Sequence, residues 1–211
     1  MQEYTFSKFK NMRSFFKHHQ DWILLNSPGF ILFLGAYVFP NTRSFVVSML
    51  GYSALFFLVG VLLLNPSISL LPKNIILKKI NRHRRILGVA SFVYAFFHAF
   101  LYIEKKGTSF FTKWVFHPVL LPGFIALIIL LLLALTSNQF SIKKMGFVAW
   151  KKLHCYVYLA QFLVVLHLTL RGRIPFWVAL CSFIPLYILQ YIRRRKKRIQ
   201  QEKKLHEKGT K

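Results

Sequence analysis

The sequence predicts an all-α, polytopic membrane protein with six transmembrane helices and both termini in the cytoplasm. Of its 211 residues, 55% are apolar, including 23 Phe, and only five are acidic, which is a membrane composition. The apolar residues form six runs of about 17 to 22 residues, close to the ~20 that cross ~30 Å of hydrocarbon as a helix. Lys and Arg are concentrated in alternate connecting segments, a distribution that the positive-inside rule explains.

The first two runs follow a polar, basic N-terminal segment, residues 1–21, which we predict to be cytoplasmic. Run one, Trp22–Phe39, lacks a small-residue cleavage site after it, so we interpret it as a retained helix rather than a signal peptide. Pro28-Gly29 within it predicts a kink. Run two, Ser44–Leu64, is predicted to end at Asn65-Pro66, because proline disfavours helical geometry in the residue before it.

A segment that combines short apolar clusters with six basic residues, Ser67–Arg85, follows the second run. This composition predicts a segment that lies at the membrane interface. Run three, Ile86–Ile103, leads into a loop, residues 104–117. Trp114 and Phe116 in this loop are predicted interfacial anchors.

The last three runs are Pro118–Leu135, Trp150–Arg171 and Phe176–Ile192. We therefore predict one six-helix domain over residues 22–192. Six consecutive basic residues begin the tail, residues 193–211, which is predicted to be cytoplasmic and to form a frayed helix or to be disordered, because it has nothing apolar to bury.

The charge distribution sets the orientation. Of the 30 Lys and Arg residues, 24 lie on the side that holds both termini and six lie on the other side, so the termini are predicted to be cytoplasmic. The net charge of +25 would suggest nucleic-acid binding in a soluble protein. We reject that class here because the charge is confined to segments between apolar runs and no basic, aromatic-interleaved module is present.

Three histidines in the membrane runs are the candidate site residues. His98 lies about 18 Å above Ile86 and His167 lies about 21 Å above Leu153, while His154 lies near the cytoplasmic surface. Two imidazoles at one depth could supply both axial ligands of a haem iron. Small residues on the same helices, Ser91, Ala95 and Ala160, would let a flat macrocycle approach.

Other interpretations of these histidines remain open. A histidine in a membrane helix is more often an interhelical hydrogen-bond partner than a metal ligand. His154 and His167 are thirteen residues apart and would not share a face of a straight helix, which favours one haem over two. Neither Cys155 nor Cys181 belongs to a C-x-x-C-H motif, so no covalent c-type haem is expected. A proton or metal transporter and a purely structural subunit are the alternative function classes.

Two motifs carry a resemblance to a known family. The first is RRILG at residues 84–88, followed by His98, and the second is WKKLH at residues 150–154, followed by His167. Their combined spacing resembles the ferric-reductase-like transmembrane family over roughly residues 51–192. Within that family, the match is closest to the haem-binding membrane subunits of periplasmic protein-methionine-sulfoxide reductase systems.

This resemblance implies a six-helix b-type cytochrome of the bacterial inner membrane, an electron-transfer subunit rather than a self-contained enzyme. Its haem-iron ligands would map onto His98, His154 and His167, with one haem b or two and flavin mononucleotide as a further candidate cofactor. Electrons would pass from a cytosolic flavin reductase to a periplasmic, molybdenum-containing methionine sulfoxide reductase. Ferric-chelate reduction is the alternative within the family.

The two-haem members of the wider family carry a further histidine, at a position that corresponds to Arg84 here. His83, next to it, is therefore a weak additional candidate for the iron. A solvated loop histidine is the alternative interpretation of His83.

Overall fold

The computed structural model describes residues 2–107, residues 117–172 and part of 187–202, with side chains from residue 20 onward. Within this described part the chain forms helices and turns, without a strand. The α-helices are α1 Gln2–Val38, α2 Arg43–Leu70, α3 Ile75–Arg82, α4 Arg84–Lys106, α5 Leu121–Leu135, α6 Gln139–Met145, α7 Phe147–His154 and α8 Val157–Leu170, with a 3₁₀ turn at Pro40–Thr42.

Four segments of these helices are long and apolar enough to cross a membrane: Gln20–Val38, Pro40–Leu70, Arg84–Lys106 and Phe147–Leu170. Helices α5 and α6 together would make a fifth crossing, although they meet at 91°. The predicted all-helical, multi-pass membrane class is confirmed. The presence of six spans and the cytoplasmic location of both termini remain predictions. Much of the predicted sixth run and of the tail lies outside the described residues.

Helix α2 extends past the predicted boundary at Asn65-Pro66 and ends only at Leu70, so that prediction was wrong. Pro66 is fully buried within the helix. Membrane helices tolerate an internal proline because neighbouring groups can satisfy the carbonyl that its missing N–H leaves free. The hydroxyl of Ser69 also donates to the carbonyl of Asn65 at 3.1 Å.

Helix α3 occupies the segment that was predicted to lie at the interface. Asn74 caps it, since its side-chain oxygen accepts a hydrogen bond from the Leu77 amide at 3.0 Å. Ile75 and Ile76 are 80% and 69% exposed on this short helix. A short amphipathic helix of this kind suits a membrane surface, and its location there remains a prediction. The predicted anchors Trp114 and Phe116 lie outside the described residues.

The fifth apolar run, predicted over Trp150–Arg171, forms one candidate membrane span, Phe147–Leu170, with a two-residue interruption at Cys155 and Tyr156. Helix α7 ends at His154 and α8 begins at Val157. Across the break, the amides of Cys155 and Tyr156 bond to carbonyls three residues back, at 3.1 and 3.0 Å. The Cys155 thiol bonds to the carbonyl of Lys151 at 3.3 Å, in place of the usual backbone partner.

Two clusters of buried side chains hold the helices together. In the first, residues from α1, α2 and α4 pack around Leu50, Ala54 and Tyr94. In the second, Leu58 of α2 meets Leu130 of α5 and Ala160 of α8. These contacts bring α2, α4, α5 and α8 together, and a cavity lies among these four helices.

Candidate cofactor site

The cavity has a volume of about 340 Å³ and is lined by both of the histidines predicted to lie at equal depth, His98 and His167. This volume falls within the range of cofactor and small-molecule pockets. Ser91 and Ala95, the predicted small residues of α4, also line it. Ala160 does not, since it is buried in the packed cluster with Leu58 and Leu130.

The imidazole of His98 is fixed by the backbone of α2. Its Nδ1 lies 2.6 Å from the carbonyl oxygen of Val47. A carbonyl oxygen only accepts, so Nδ1 must carry the proton and Nε2 must hold a lone pair. Gly51, one helical turn after Val47, makes room for the ring, because a Cβ atom there would approach Nδ1 of His98 to 2.8 Å.

The imidazole of His167 is held in the same way from the start of α5. Its Nδ1 donates to the carbonyl of Val119 at 2.9 Å, which again leaves the lone pair on Nε2. Gly123 lies four residues after Val119, and a Cβ atom there would come within 3.0 Å of Cγ and Nδ1 of His167.

Each histidine thus contacts the carbonyl of a valine and the glycine four residues after it. This valine–glycine spacing is part of a longer pattern that occurs twice in the chain. Val, Gly, Ala and Leu occur at residues 47, 51, 54 and 58, and again at residues 119, 123, 126 and 130. All eight positions are in the described helices or the turn before α5, and all eight residues except Val119 line the cavity. The predicted site did not include these residues, although the repeated spacing was a signal in the sequence.

The pair of histidines fits an iron porphyrin. Metal-bound histidines usually donate the second ring N–H to a backbone carbonyl or carboxylate, which fixes the tautomer and the ring orientation. His98 and His167 have this arrangement, and within the described part of the chain neither Nε2 atom has a hydrogen-bond partner. His98 and His167 line one cavity, so their two Nε2 atoms could both hold a haem iron.

His154 lies outside this cavity, in a cluster at the other end of α5. Its ring packs on Trp150, with 4.1 Å between ring centroids. The indole N–H of Trp150 donates to the carbonyl of Thr136 at 2.9 Å, and the Thr136 hydroxyl lies 3.3 Å from Nε2 of His154. The four-residue spacing of Trp150 and His154 thus corresponds to a direct contact between their tilted rings in α7.

The Thr136 contact also orients His154 differently from the other two histidines. The Thr136 hydroxyl donates its single proton to the carbonyl of Leu132 at 2.7 Å. With that proton on the Leu132 carbonyl, the hydroxyl oxygen accepts from Nε2–H in the His154 tautomer whose lone pair is on Nδ1. Iron ligation by His154 through Nε2 would require this bond to break, so its assignment as a haem ligand remains a prediction.

His83, the weak additional candidate, lies between α3 and α4. Its Nδ1 is 3.2 Å from a carboxylate oxygen of Asp21 in α1. This contact gives His83 a role in joining α1 to the start of α4.

Three basic residues line the cavity at one end: Lys105, Lys106 and Arg171, here called the cationic rim. Lys105 donates to the hydroxyl of Ser44. The guanidinium of Arg171 lies over the ring of Tyr102, 4.7 Å from its centroid.

Comparison with known proteins gives a family match over the region that contains the site. The model of the family described as "Ferric reductase like transmembrane component" matches residues 49–166. This range includes His98 and His154 and ends one residue before His167.

Two relatives are named "Protein-methionine-sulfoxide reductase heme-binding subunit MsrQ". The protein from Deinococcus radiodurans is 38% identical over 89 residues, which cover 41% of this chain and 44% of the relative. The protein from Brucella melitensis biotype 2 is 38% identical over 116 residues, which cover 53% and 50%. The chain thus matches about half the length of these relatives. No solved structure matches.

Proposed function

This chain belongs to the ferric reductase-like transmembrane family, and from that premise we propose that it is a b-type haem electron carrier of the bacterial inner membrane. The observation that carries the proposal is the matched pair of imidazoles at one cavity. His98 and His167 each donate Nδ1–H to a backbone carbonyl and keep Nε2 free for iron.

We further propose that the electrons come from a cytosolic flavin reductase and go to a periplasmic, molybdenum-containing methionine sulfoxide reductase. The names of the relatives support the acceptor, because they are called heme-binding subunits of a protein-methionine-sulfoxide reductase. In this proposal the chain is an electron-transfer subunit, and the reduction of the sulfoxide takes place on the partner.

In this mechanism a bound haem supplies one-electron chemistry. His98 and His167 would hold the iron through Nε2, and a haem held by two histidines is suited to electron transfer. The carbonyls of Val47 and Val119 accept from Nδ1–H of the two rings, which fixes the tautomer and the orientation of each imidazole. Leu58 and Leu130 contribute apolar side chains to the cavity and limit the access of water.

The family also supports ferric-chelate reduction as a second candidate function. The cationic rim favours it, since many ferric chelates are anionic and three positive side chains at the cavity would attract them. On this alternative, no protein partner is needed on the outer side.

The first experiment is an absorption spectrum of the purified full chain. A Soret band with sharp α and β bands on reduction is expected for a haem with two imidazole ligands. A colourless preparation that also fails to take up added haem would overturn the proposal and leave a transporter or a structural subunit.

The second experiment separates the acceptors. The haem-loaded chain is placed in sealed, oriented vesicles with a flavin reductase on the cytoplasmic side, and each acceptor is offered outside. Haem reoxidation by the reductase with its sulfoxide substrate is the expected result. Reoxidation by ferric chelates alone would favour the second candidate function, and a haem that the flavin system cannot reduce would overturn the proposed direction.

A further inference from the structure

We propose that the cationic rim, Lys105, Lys106 and Arg171, binds the two propionate carboxylates of the haem and so fixes which way the macrocycle points. This inference rests on the proposed function, because it needs a haem between His98 and His167. It adds a carboxylate-binding subsite at one end of the same cavity.

Two of the rim residues, Lys105 and Arg171, lie close to the histidine-bearing faces of their helices. Lys105 follows His98 by seven residues in α4, which places it about 10 Å further along the helix and within about 20° of the same face. Arg171 follows His167 by four residues, about 6 Å further along and about 40° around. One cation from each histidine helix therefore lies beyond the imidazoles in the same direction.

The charge of the rim is not balanced by the acidic residue beside it. The carboxylate of Glu104 lies 3.9 Å from the guanidinium of Arg43 and accepts a hydrogen bond from the Tyr37 hydroxyl at 2.7 Å. Within the described residues, no ion pair involves any member of the rim. Three like charges at one cavity end favour an anionic ligand there, since each cation raises the potential that the others experience.

The side chains of the rim are held in place before any ligand binds. The Lys105 ammonium donates to Ser44, which uses one of its three N–H groups. The guanidinium carbon of Arg171 lies over the ring of Tyr102, 4.7 Å from the ring centroid. A guanidinium can contact an aromatic ring and also bind a carboxylate through two parallel hydrogen bonds.

The shape of the cavity favours the cofactor's own carboxylates over those of a separate anion. The cavity is continuous from the two histidines to the rim, and Leu58 and Leu130 line it as apolar residues. Both propionates of a haem lie on one edge of the macrocycle. A haem ligated by the two histidines can satisfy that polar edge at the rim and place its apolar edge against the leucines.

The test uses the full-length apoprotein in lipid nanodiscs, titrated with iron protoporphyrin IX and, separately, with its dimethyl ester. The ester keeps the iron and the ring but lacks the two negative charges. We expect the wild-type chain to bind the free acid at least about tenfold more tightly than the ester, as charge-assisted hydrogen bonds imply. The double variant Lys105→Gln/Arg171→Gln should lose this preference and bind the ester as the wild type does.

Two further variants make the comparison specific. Arg171→Gln alone should give an intermediate preference, and it tests the rim if the double variant is poorly expressed. Lys143→Gln removes one positive charge from α6, outside the cavity lining, and should keep the full preference for the free acid.

Each remaining outcome has a distinct meaning. The inference would be overturned, and the haem proposal left intact, if the wild-type chain bound the two porphyrins with equal affinity. The same holds if the variants lost affinity for both porphyrins to the same extent. A third outcome is that the wild-type chain binds both porphyrins equally, while its haem-loaded form binds ferric citrate and Arg171→Gln abolishes that binding. This result would reassign the rim to an external carboxylate. Failure of the wild-type chain to bind either porphyrin would overturn the proposed function itself.

Discussion

Nδ1 of His98 lies 2.6 Å from the carbonyl oxygen of Val47, a residue on a different helix and 51 positions earlier in the chain. This contact decides the chemistry of the imidazole, because it places the proton on Nδ1 and the lone pair on Nε2. His167 and Val119 repeat the relationship at 2.9 Å. The two pairs give the cavity two preoriented candidate ligands for iron.

Replacement of either cavity histidine should remove the haem. We expect His98→Ala and His167→Ala each to lower the haem content of purified protein about tenfold or more, since one axial ligand is lost and the other cannot replace it. Ala is well tolerated in membrane helices, so the amount of inserted protein should not change. The pyridine haemochrome assay, normalised to protein, measures the effect. His83→Ala is the control and should keep its haem, and full retention in either cavity variant would disprove the ligand assignment.

The two glycines beside the histidines should be sensitive to a single methyl group. In Gly51→Ala the new Cβ would lie 2.8 Å from Nδ1 of His98, closer than real Cβ contacts allow, so the ring must move away from Val47. We expect about a tenfold loss in haem affinity, as is typical when the partner of a metal-bound histidine is disturbed. A change in the low-spin electron paramagnetic resonance signal should accompany this loss. Gly123→Ala should behave similarly but more mildly, since its contacts begin at 3.0 Å.

Gly60→Ala provides the matched control for the glycine variants. Gly60 lies in the same helix as Gly51, and a Cβ atom there would meet nothing within 4 Å. Ala in a helix interior is favoured over Gly by about 0.5 to 1 kcal/mol. Haem affinity and the resonance signal should therefore remain as in the wild type. A loss of haem in Gly60→Ala equal to that in Gly51→Ala would show that helix packing, and not the position of the imidazole, accounts for the effect.

Sequence reasoning located the cavity histidines because depth follows directly from helix rise once the orientation is assigned. It could not locate Val47 and Val119, since which helix faces which is decided by packing between residues far apart in the chain. It also ended α2 at Asn65, because local rules cannot register the burial of Pro66. It did not predict the short interruption within the fifth span, where the Cys155 thiol donates a hydrogen bond to the Lys151 carbonyl. The repeated Val-Gly-Ala-Leu spacing was visible, but its meaning depends on the contacts that the fold supplies.

Substitution of His154 should show whether the cluster around it binds a second cofactor or is only a packing contact. Its position at the other end of α5 suits a second redox station, with haem or flavin as the bound group. If it is such a station, His154→Ala should lower total haem or flavin by one equivalent and slow the reduction of the remaining haem. The haem between His98 and His167 should keep its spectrum in either case.

Thr136→Val refines this test of His154. It removes the hydroxyl that lies 3.3 Å from Nε2 of His154 while keeping the shape of the side chain. If His154 binds iron through Nε2, this variant should leave the second equivalent in place or increase it, because the competing bond is gone. One haem, no flavin and normal electron transfer in both variants would identify His154 as a packing residue.

The last prediction concerns the electron donor. Lys143 and Lys144 lie in the final turn of α6, which turns 91° away from α5, and on the predicted orientation this short helix faces the cytoplasm. Exposed cations steer an acidic protein or an anionic flavin toward the surface, with an effect that salt screens over ~8 to 10 Å. Reduction of the haem by the flavin system should therefore slow several-fold between low and physiological ionic strength. In Lys143→Glu/Lys144→Glu the rate should be lower and should depend less on salt.

Stopped-flow absorbance at the reduced α band measures both rates, and direct reduction by dithionite controls for damage to the haem site. A donor rate that neither salt nor charge reversal changes would exclude this surface as the place where the electron donor binds.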